Sequence, residues 1–405
     1  MRHIGDDERR ARLSRRHRLS PAHRGGDVLA AAGSVGFLHA TEPANVYLSL
    51  VARADVERAD IDRVLFEDRA LIRQLAMRRT VFAFPRELFP AVRGSVAARV
   101  ATQLAARLAK EVQACGLSDD GAAWVARACD EVRAAVAVEP LTTAALRERI
   151  PRLAERIEIA PGKSYGGDFP VAGRVLSVLA ADGSVVRGRN AAGWKVSRPY
   201  WTSVDHWLGS DPGALDEQAG YVEVIRAWLA RFGPGTEDDI VWWLGATRTA
   251  VRRALAELDP VQVELDSGDT GWVLPDDVDA AESVQPYAAL LPVLDPTTMG
   301  WQRRDFYLGP HAATLVDRGN AGATAWVGGR IVGTWVQDQE GRVVVLPLED
   351  LPDEARAGLA AQARRLTDWL DGEMVRSVYA APHARAWLAA PEATRSAVGS
   401  FPEIR

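Results

Sequence analysis

The chain has 405 residues, enough for two to four domains. Hydrophobic residues make up 47% of it, which is ample for packed cores and excludes a disordered chain. A net charge of −5 excludes a uniformly basic nucleic-acid binder, and two cysteines, Cys115 and Cys129, exclude a disulfide framework or a Cys-based zinc site. The positive charge is carried almost entirely by arginine, because Lys110, Lys163 and Lys195 are the only lysines. Arginine forks suit phosphates and base edges, although a high-GC genome produces the same bias. The apolar run at 28–40 is interrupted by Gly33, Ser34 and Gly36 and is too short to span a bilayer. The N-terminus is Arg-rich without the apolar core of a signal peptide. A cytoplasmic protein with no membrane, metal or cofactor partner is expected.

In chain order, the first 24 residues carry eight arginines against Asp6, Asp7 and Glu8, with little apolar periodicity. Residues 1–19 therefore read as a basic N-terminal arm able to track phosphates. A first module follows over 20–112, with helices at 43–53 and 69–77 and a strand at 81–84 that leads off Arg78 and Arg79. The second, at 113–213, has a helix at 124–136, then a helix at 144–150 with candidate caps Thr142 and Thr143 and a stop at Pro151. A helix at 173–181 and a strand pair at 185–189 and 194–197 complete it. Arg187, Arg189, Lys195 and Arg198 make this hairpin basic, which suits a wing on a phosphate backbone.

The third module, 214–283, has the clearest pattern. Helices at 221–232, 237–244 and 248–258 precede strands at 261–265 and 271–274, the order of a winged helix. Its last helix is the type that enters a major groove, with Arg248, Arg252 and Arg253 on the polar side. The alternative for these arginines is solvated surface charge. From 284 to 405 the texture turns to strands and turns, with Gly328-Gly329 as a tight hairpin turn. A helix at 354–370 follows. This region reads as a small β-barrel-like or sandwich domain, so the chain as a whole is α+β.

The stretch Val35-Gly36-Phe37-Leu38-His39-Ala40-Thr41-Glu42-Pro43 holds two polar side chains separated by one apolar residue. In an extended segment they point the same way and can hold one water between them. A neutral imidazole accepts a proton near pH 7, and a threonine hydroxyl both accepts and donates. The competing reading makes His39 a packed ring and Thr41 the cap of a helix opened by Pro43.

Four segments carry a family resemblance. They are 36–53 with Tyr47-Leu48-Ser49-Leu50; Leu65-Phe66-Glu67-Asp68-Arg69 with Met77-Arg78-Arg79-Thr80; Arg198-Pro199-Tyr200 with Trp207-Leu208-Gly209; and 291–309 with Leu294-Asp295-Pro296, Met299-Gly300 and Tyr307-Leu308-Gly309. Together they resemble the winged-helix DNA glycosylases of the AlkZ type, over most of 20–380. The resemblance implies three tandem winged-helix modules in a C-shape around duplex DNA, plus a C-terminal β domain. It implies hydrolysis of the N-glycosidic bond of purines alkylated at N7 or N3, including the unhooking of interstrand crosslinks. The family's Gln-apolar-Gln or Gln-apolar-Asp motif falls on His39-Ala40-Thr41, so both polar positions depart from it. The expected catalytic residues are His39 and Thr41. The expected partner of a monomeric chain is double-stranded DNA carrying alkylated purines. No lysine lies near the motif, which argues against Schiff-base chemistry and for a monofunctional enzyme. The rival on the same scaffold is a non-catalytic DNA-binding protein, a regulator or a lesion sensor. A self-resistance enzyme dedicated to one DNA-alkylating product is a third reading.

Overall fold

The computed structural model describes residues 1–159, 162 and 166–391. The chain divides into two compact units. One comprises Met1–Asp62, Ile225–Trp243 and Leu255–Arg405, the other Arg63–Val224 and Leu244–Ala254. This division is coarser than the five segments expected from sequence.

The first unit begins differently from the basic arm expected over 1–19. Arg2–Ile4 is a strand, and Asp6–Arg16 is a helix with Asp6, Asp7 and Glu8 in its first turn and Arg15 and Arg16 in its last, complementing the helix dipole. The strand pairs in parallel with Val261–Leu265, which pairs antiparallel with Thr270–Val273. Ile4, Val263, Leu265 and Val273 pack together in the small core beneath this sheet. The arginines are turned inward onto acids. Arg12 is 3% exposed and bonds Asp277 at 2.7 Å and Glu8 at 2.7 Å, and Arg16 also pairs with Asp277. Charge that looked available for phosphates is spent holding the segment down.

The C-terminal part of this unit is a four-stranded antiparallel sheet in the order Ala288–Leu291, Thr324–Val327, Arg330–Gln337, Val343–Pro347. Gly328 and Gly329, at φ 55° and 84°, turn the central hairpin as their sequence predicts. The helix Asp353–Leu370 packs on the sheet and presents buried Leu359, Ala363, Leu366 and Leu370. The expected barrel does not form: the two outer strands do not pair with each other among the described residues, and the sheet is open. One long amphipathic helix covers its apolar face, so closure is not needed to bury it. An aromatic cluster of Trp228, Phe232, Trp243, Trp301 and Tyr307 fills the interior.

The second unit is built on helices Ala98–Ala114, Gly121–Val138, Thr143–Arg149 and Ala172–Asp182, with three hairpins. Thr142 caps its helix by accepting from the Ala145 amide, as expected. Gly121 lets two helices touch, since a Cβ there would stand 2.1 Å from the Ala109 carbonyl oxygen. The expected helix at 69–77 is instead the strand Leu71–Leu75, paired with Val81–Pro85. All five of its residues are buried, so no polar face marks it as a strand. Cys129 is buried, and burial pushes its thiol up to about 11, whereas Cys115 is exposed rather than packed. No helix among the described residues is long and apolar enough to cross a membrane.

Candidate active site and nucleic-acid interface

The motif segment is set by its lead-in. The helix Val28–Val35 is capped at its start by Asp27 and ends at Gly36, whose φ of 71° reverses the chain. A Cβ at Gly36 would meet the Arg231 side chain at 2.7 Å. Arg231 is occupied there, donating to the carbonyls of Gly33 and Ala227, each at 2.7 Å. Phe37 then stacks edge-on against Trp243 at 5.0 Å, and Leu38–His39 runs as a short buried strand. His39 emerges 8% exposed, with its ring edge-on to Tyr379 at 6.3 Å.

Thr41 is exposed, and it does not cap the following helix. That helix, Ala44–Val51, opens on Pro43 without a side-chain cap, and the Asn45 amide bonds the Glu42 carbonyl at 3.1 Å. Proline fixes φ for the first turn without needing a cap, so the Thr41 hydroxyl stays outside the helix. Glu42 turns toward Tyr379: its Oε1 accepts from the Val378 amide at 3.1 Å. Burial first, and then the Glu42 carboxylate, raise the Tyr379 phenol above its ordinary value. His39 and Glu42 are thus brought to Tyr379 and Val378, with exposed Thr41 between them in the chain.

The helix behind the motif is anchored by a buried network. Every residue of Ala44–Val51 is buried. Below it, the fully buried Arg53 makes paired bonds to Asp295 at 2.9 and 2.6 Å, and Ser49 donates to the same carboxylate at 2.7 Å. Arg53 also donates to Thr297 Oγ1, which lies 2.9 Å from His17 Nδ1. His17 Nε2 faces the Arg231 carbonyl at 3.1 Å. A carbonyl only accepts, so Nε2 carries the proton and Nδ1 accepts from Thr297. Burial, and then the Arg53 charge, push His17 down to about 3. Asp295 is held below the ordinary carboxylate range: burial raises it, but Arg53 and the bonds from Arg53, Ser49 and Thr297 outweigh that. The Asp295-Pro296 segment noted in the sequence is therefore a brace for the motif-bearing helix.

The expected DNA-contacting residues lie in the second unit. Arg187 and Arg189 are on the strand Val185–Asn190, paired with Pro199–Ser203. The second strand starts at Pro199, not Trp194, so Lys195 and Arg198 sit on the intervening loop. Arg198 and Arg189 are exposed, and Lys195 is half-buried. Arg189 lies over the Phe66 ring at 4.7 Å, with Glu67 3.7 Å away. Arg187 is half-buried over Trp201 at 4.4 Å, and burial, with the neighbouring Arg73, lowers its guanidinium to about 10. Arg248, Arg252 and Arg253 are exposed along the helix Arg248–Leu258. Arg253 shares a recess with Asp216 and Glu217.

Sequence reasoning singled out neither Tyr379 nor the contact of Glu42 with its segment. Nothing local signals a partnership across more than 330 positions. Arg79 sits exposed in a left-handed conformation at the tip of the hairpin Leu71–Leu75/Val81–Pro85, beside Arg78 in the same conformation. Two basic residues interrupting two apolar runs were its signal. No group of three or more His, Cys, Asp or Glu able to hold a metal occurs among the described residues.

Residues 32–369 match the family described as "DNA glycosylase AlkZ-like", and the chain belongs to that family. The motif strand, the buried brace and the basic hairpin all fall inside the matched span. Among solved structures, the Streptomyces sahachiroi DNA glycosylase AlkZ superposes with a TM-score of 0.69 at 21% identity, over 91% of this chain and 98% of its own. At that identity the likeness carries the fold. No curated protein matches the sequence. Family and fold together support a DNA glycosylase role in DNA repair.

Proposed function

We propose that this protein hydrolyses the N-glycosidic bond of purines alkylated at N7 or N3 in duplex DNA, crosslinked purines included, as a monofunctional enzyme. The carrying observation is that Thr41 is not consumed as a helix cap. It lies two residues from His39 in the chain and is exposed, next to Glu42, which reaches the Val378 amide beside Tyr379. Alkylation puts positive charge on the base, so the leaving group needs no proton. The site must position water and stabilise oxocarbenium-like charge. His39 takes the proton as water oxygen bonds to C1′. The C1′–N bond breaks with its electron pair going to the purine, which leaves neutral. Thr41 holds the water, and the Glu42 carboxylate supplies negative charge beside the cationic sugar.

The tandem winged-helix modules, with Arg187, Arg189, Lys195, Arg198, Arg248, Arg252 and Arg253 toward the backbone, belong to this proposal, as do a monomeric state and a cytoplasmic, nucleoid-associated location. A DNA-binding protein without chemistry is the second reading. The departure of both motif positions and the depth of His39, 8% exposed, favour it. Duplexes carrying 7-methylguanine, 3-methyladenine or a crosslink separate the two. Release of free base with an abasic product supports the enzyme. Tight binding with no release from any of them leaves the binder.

A further inference from the structure

A cavity of about 700 Å³ lies within the first unit, between the helix Ala44–Val51, the end of the strand Arg330–Gln337 and the helix Pro382–Ala389. Its volume is in the range of small-molecule sites. Leu48, Val293, Trp335, Val336 and Ala384 make its wall mainly apolar. The segment 374–381 closes one side and is pinned at two points. Gln337 donates to the Gly341 and Glu373 carbonyls, each at 3.0 Å, and accepts from the Val375 amide at 2.8 Å. Further along, Glu42 holds the Val378 amide. The cavity is therefore preformed.

Most polar groups that line it are satisfied by the protein. Trp335 Nε1 donates to the Leu291 carbonyl at 2.8 Å, Asp338 accepts from Arg342, and Arg385 pairs with Asp317. Two are not. Asn45 is 2% exposed, lines the cavity, and its Nδ2 donates to nothing among the described residues. A buried amide donor seeks an acceptor from whatever fills the space. At the mouth, exposed Arg376 makes no ion pair among the described residues, and Val378 and Leu388 expose apolar surface beside it, 83% and 43% exposed.

We propose that this cavity binds a small amphiphilic organic anion. Its apolar body fills the space below the 374–381 strap, an acceptor atom on that body meets Asn45 Nδ2, and its anionic group faces Arg376. The cavity adjoins the proposed glycosidic site, which shares Glu42 and Tyr379 with the strap, but its binding groups, Asn45 and Arg376, take no part in that chemistry. Anilinonaphthalenesulfonate, an aromatic body with a sulfonate, is the probe. Titrated into the full folded chain with calorimetric stoichiometry, it should occupy one saturable site. Arg376→Ala should weaken binding about two- to fivefold, the range of an exposed charge pair. Asn45→Leu should weaken it about three- to tenfold without lowering the melting temperature, since it removes an unsatisfied donor. Ala384→Trp, which fills the cavity, should abolish binding. The proposal is overturned by the absence of a saturable site, by unchanged affinity in Arg376→Ala and Asn45→Leu, or by wild-type binding in a folded Ala384→Trp chain. If Ala384→Trp does not fold, the other two variants decide.

Discussion

At the scale of single residues, three side chains carry separable consequences. Thr41 holds the proposed water through one hydroxyl, so Thr41→Ala should slow base release about three- to tenfold, the worth of one hydrogen bond. Its effect on thermal stability should be negligible, because the hydroxyl caps no helix. His17 makes folding sensitive to acid. Its folded pKa of about 3 lies below the unfolded 6.5, so the unfolded chain binds the extra proton. The stability this neutral ring contributes is complete above pH 6.5 and is lost as pH falls toward 3, about 2 kcal/mol by pH 5. Denaturant melts of wild type and His17→Gln at pH 7 and pH 5 test this: the variant should lose the pH dependence, and a parallel fall in both chains would show that another group titrates. Gly36 is the third. Its φ of 71° and the Arg231 side chain against it make Gly36→Ala cost about 1–3 kcal/mol, read as a lowered denaturation midpoint.

At the scale of elements, the motif helix depends on the Arg53–Asp295 pair beneath it. Both partners are fully buried, so Asp295→Asn leaves an uncompensated cation and should cost about 3–5 kcal/mol. A loss below 1 kcal/mol in chemical denaturation would mean the helix is held by apolar packing alone. The basic hairpin makes a different claim. Arg189 and Arg198 are exposed while Arg187 is half-buried on Trp201, so under the proposed function the first two are the phosphate contacts to test. The Arg189→Ala, Arg198→Ala double variant should lower the slope of log affinity against log salt by about two, and an unchanged slope would mean this face is turned from DNA.

The same elements mark what the sequence made legible. The helices at 237–244 and 248–258 and the strand at 261–265 fall where their periodicity and turn residues put them. The strand Leu71–Leu75 did not, because Arg73 and Gln74 are buried with their polar ends on the carbonyls of Gly188 and Ala181. A strand covered on both faces loses the alternation that identifies it. The N-terminal arginines misled for a related reason: Asp277, the partner of Arg12 and Arg16, lies some 260 positions away. Of the proposed site, the spacing of His39 and Thr41 is visible in the sequence. The meeting of Glu42 and Tyr379 is not, since it is a product of the fold.

At the scale of the whole molecule, the chain belongs to the AlkZ-like DNA glycosylase family on the AlkZ fold, and the proposal assigns its chemistry to His39-Ala40-Thr41. In the proposed mechanism a histidine and a threonine two residues on, neither of them a helix cap, hold and activate one water. General-base catalysis contributes about 10²–10⁴ in rate, so that is the size of the effect at stake. The most direct test is single-turnover release of free 7-methylguanine from duplex DNA by wild type and His39→Ala, with DNA affinity measured on the same samples. The account predicts measurable release by wild type, a loss of at least about a hundredfold in the variant, and equal affinity. Equal release rates in the two chains, or none in either despite tight binding, would contradict it.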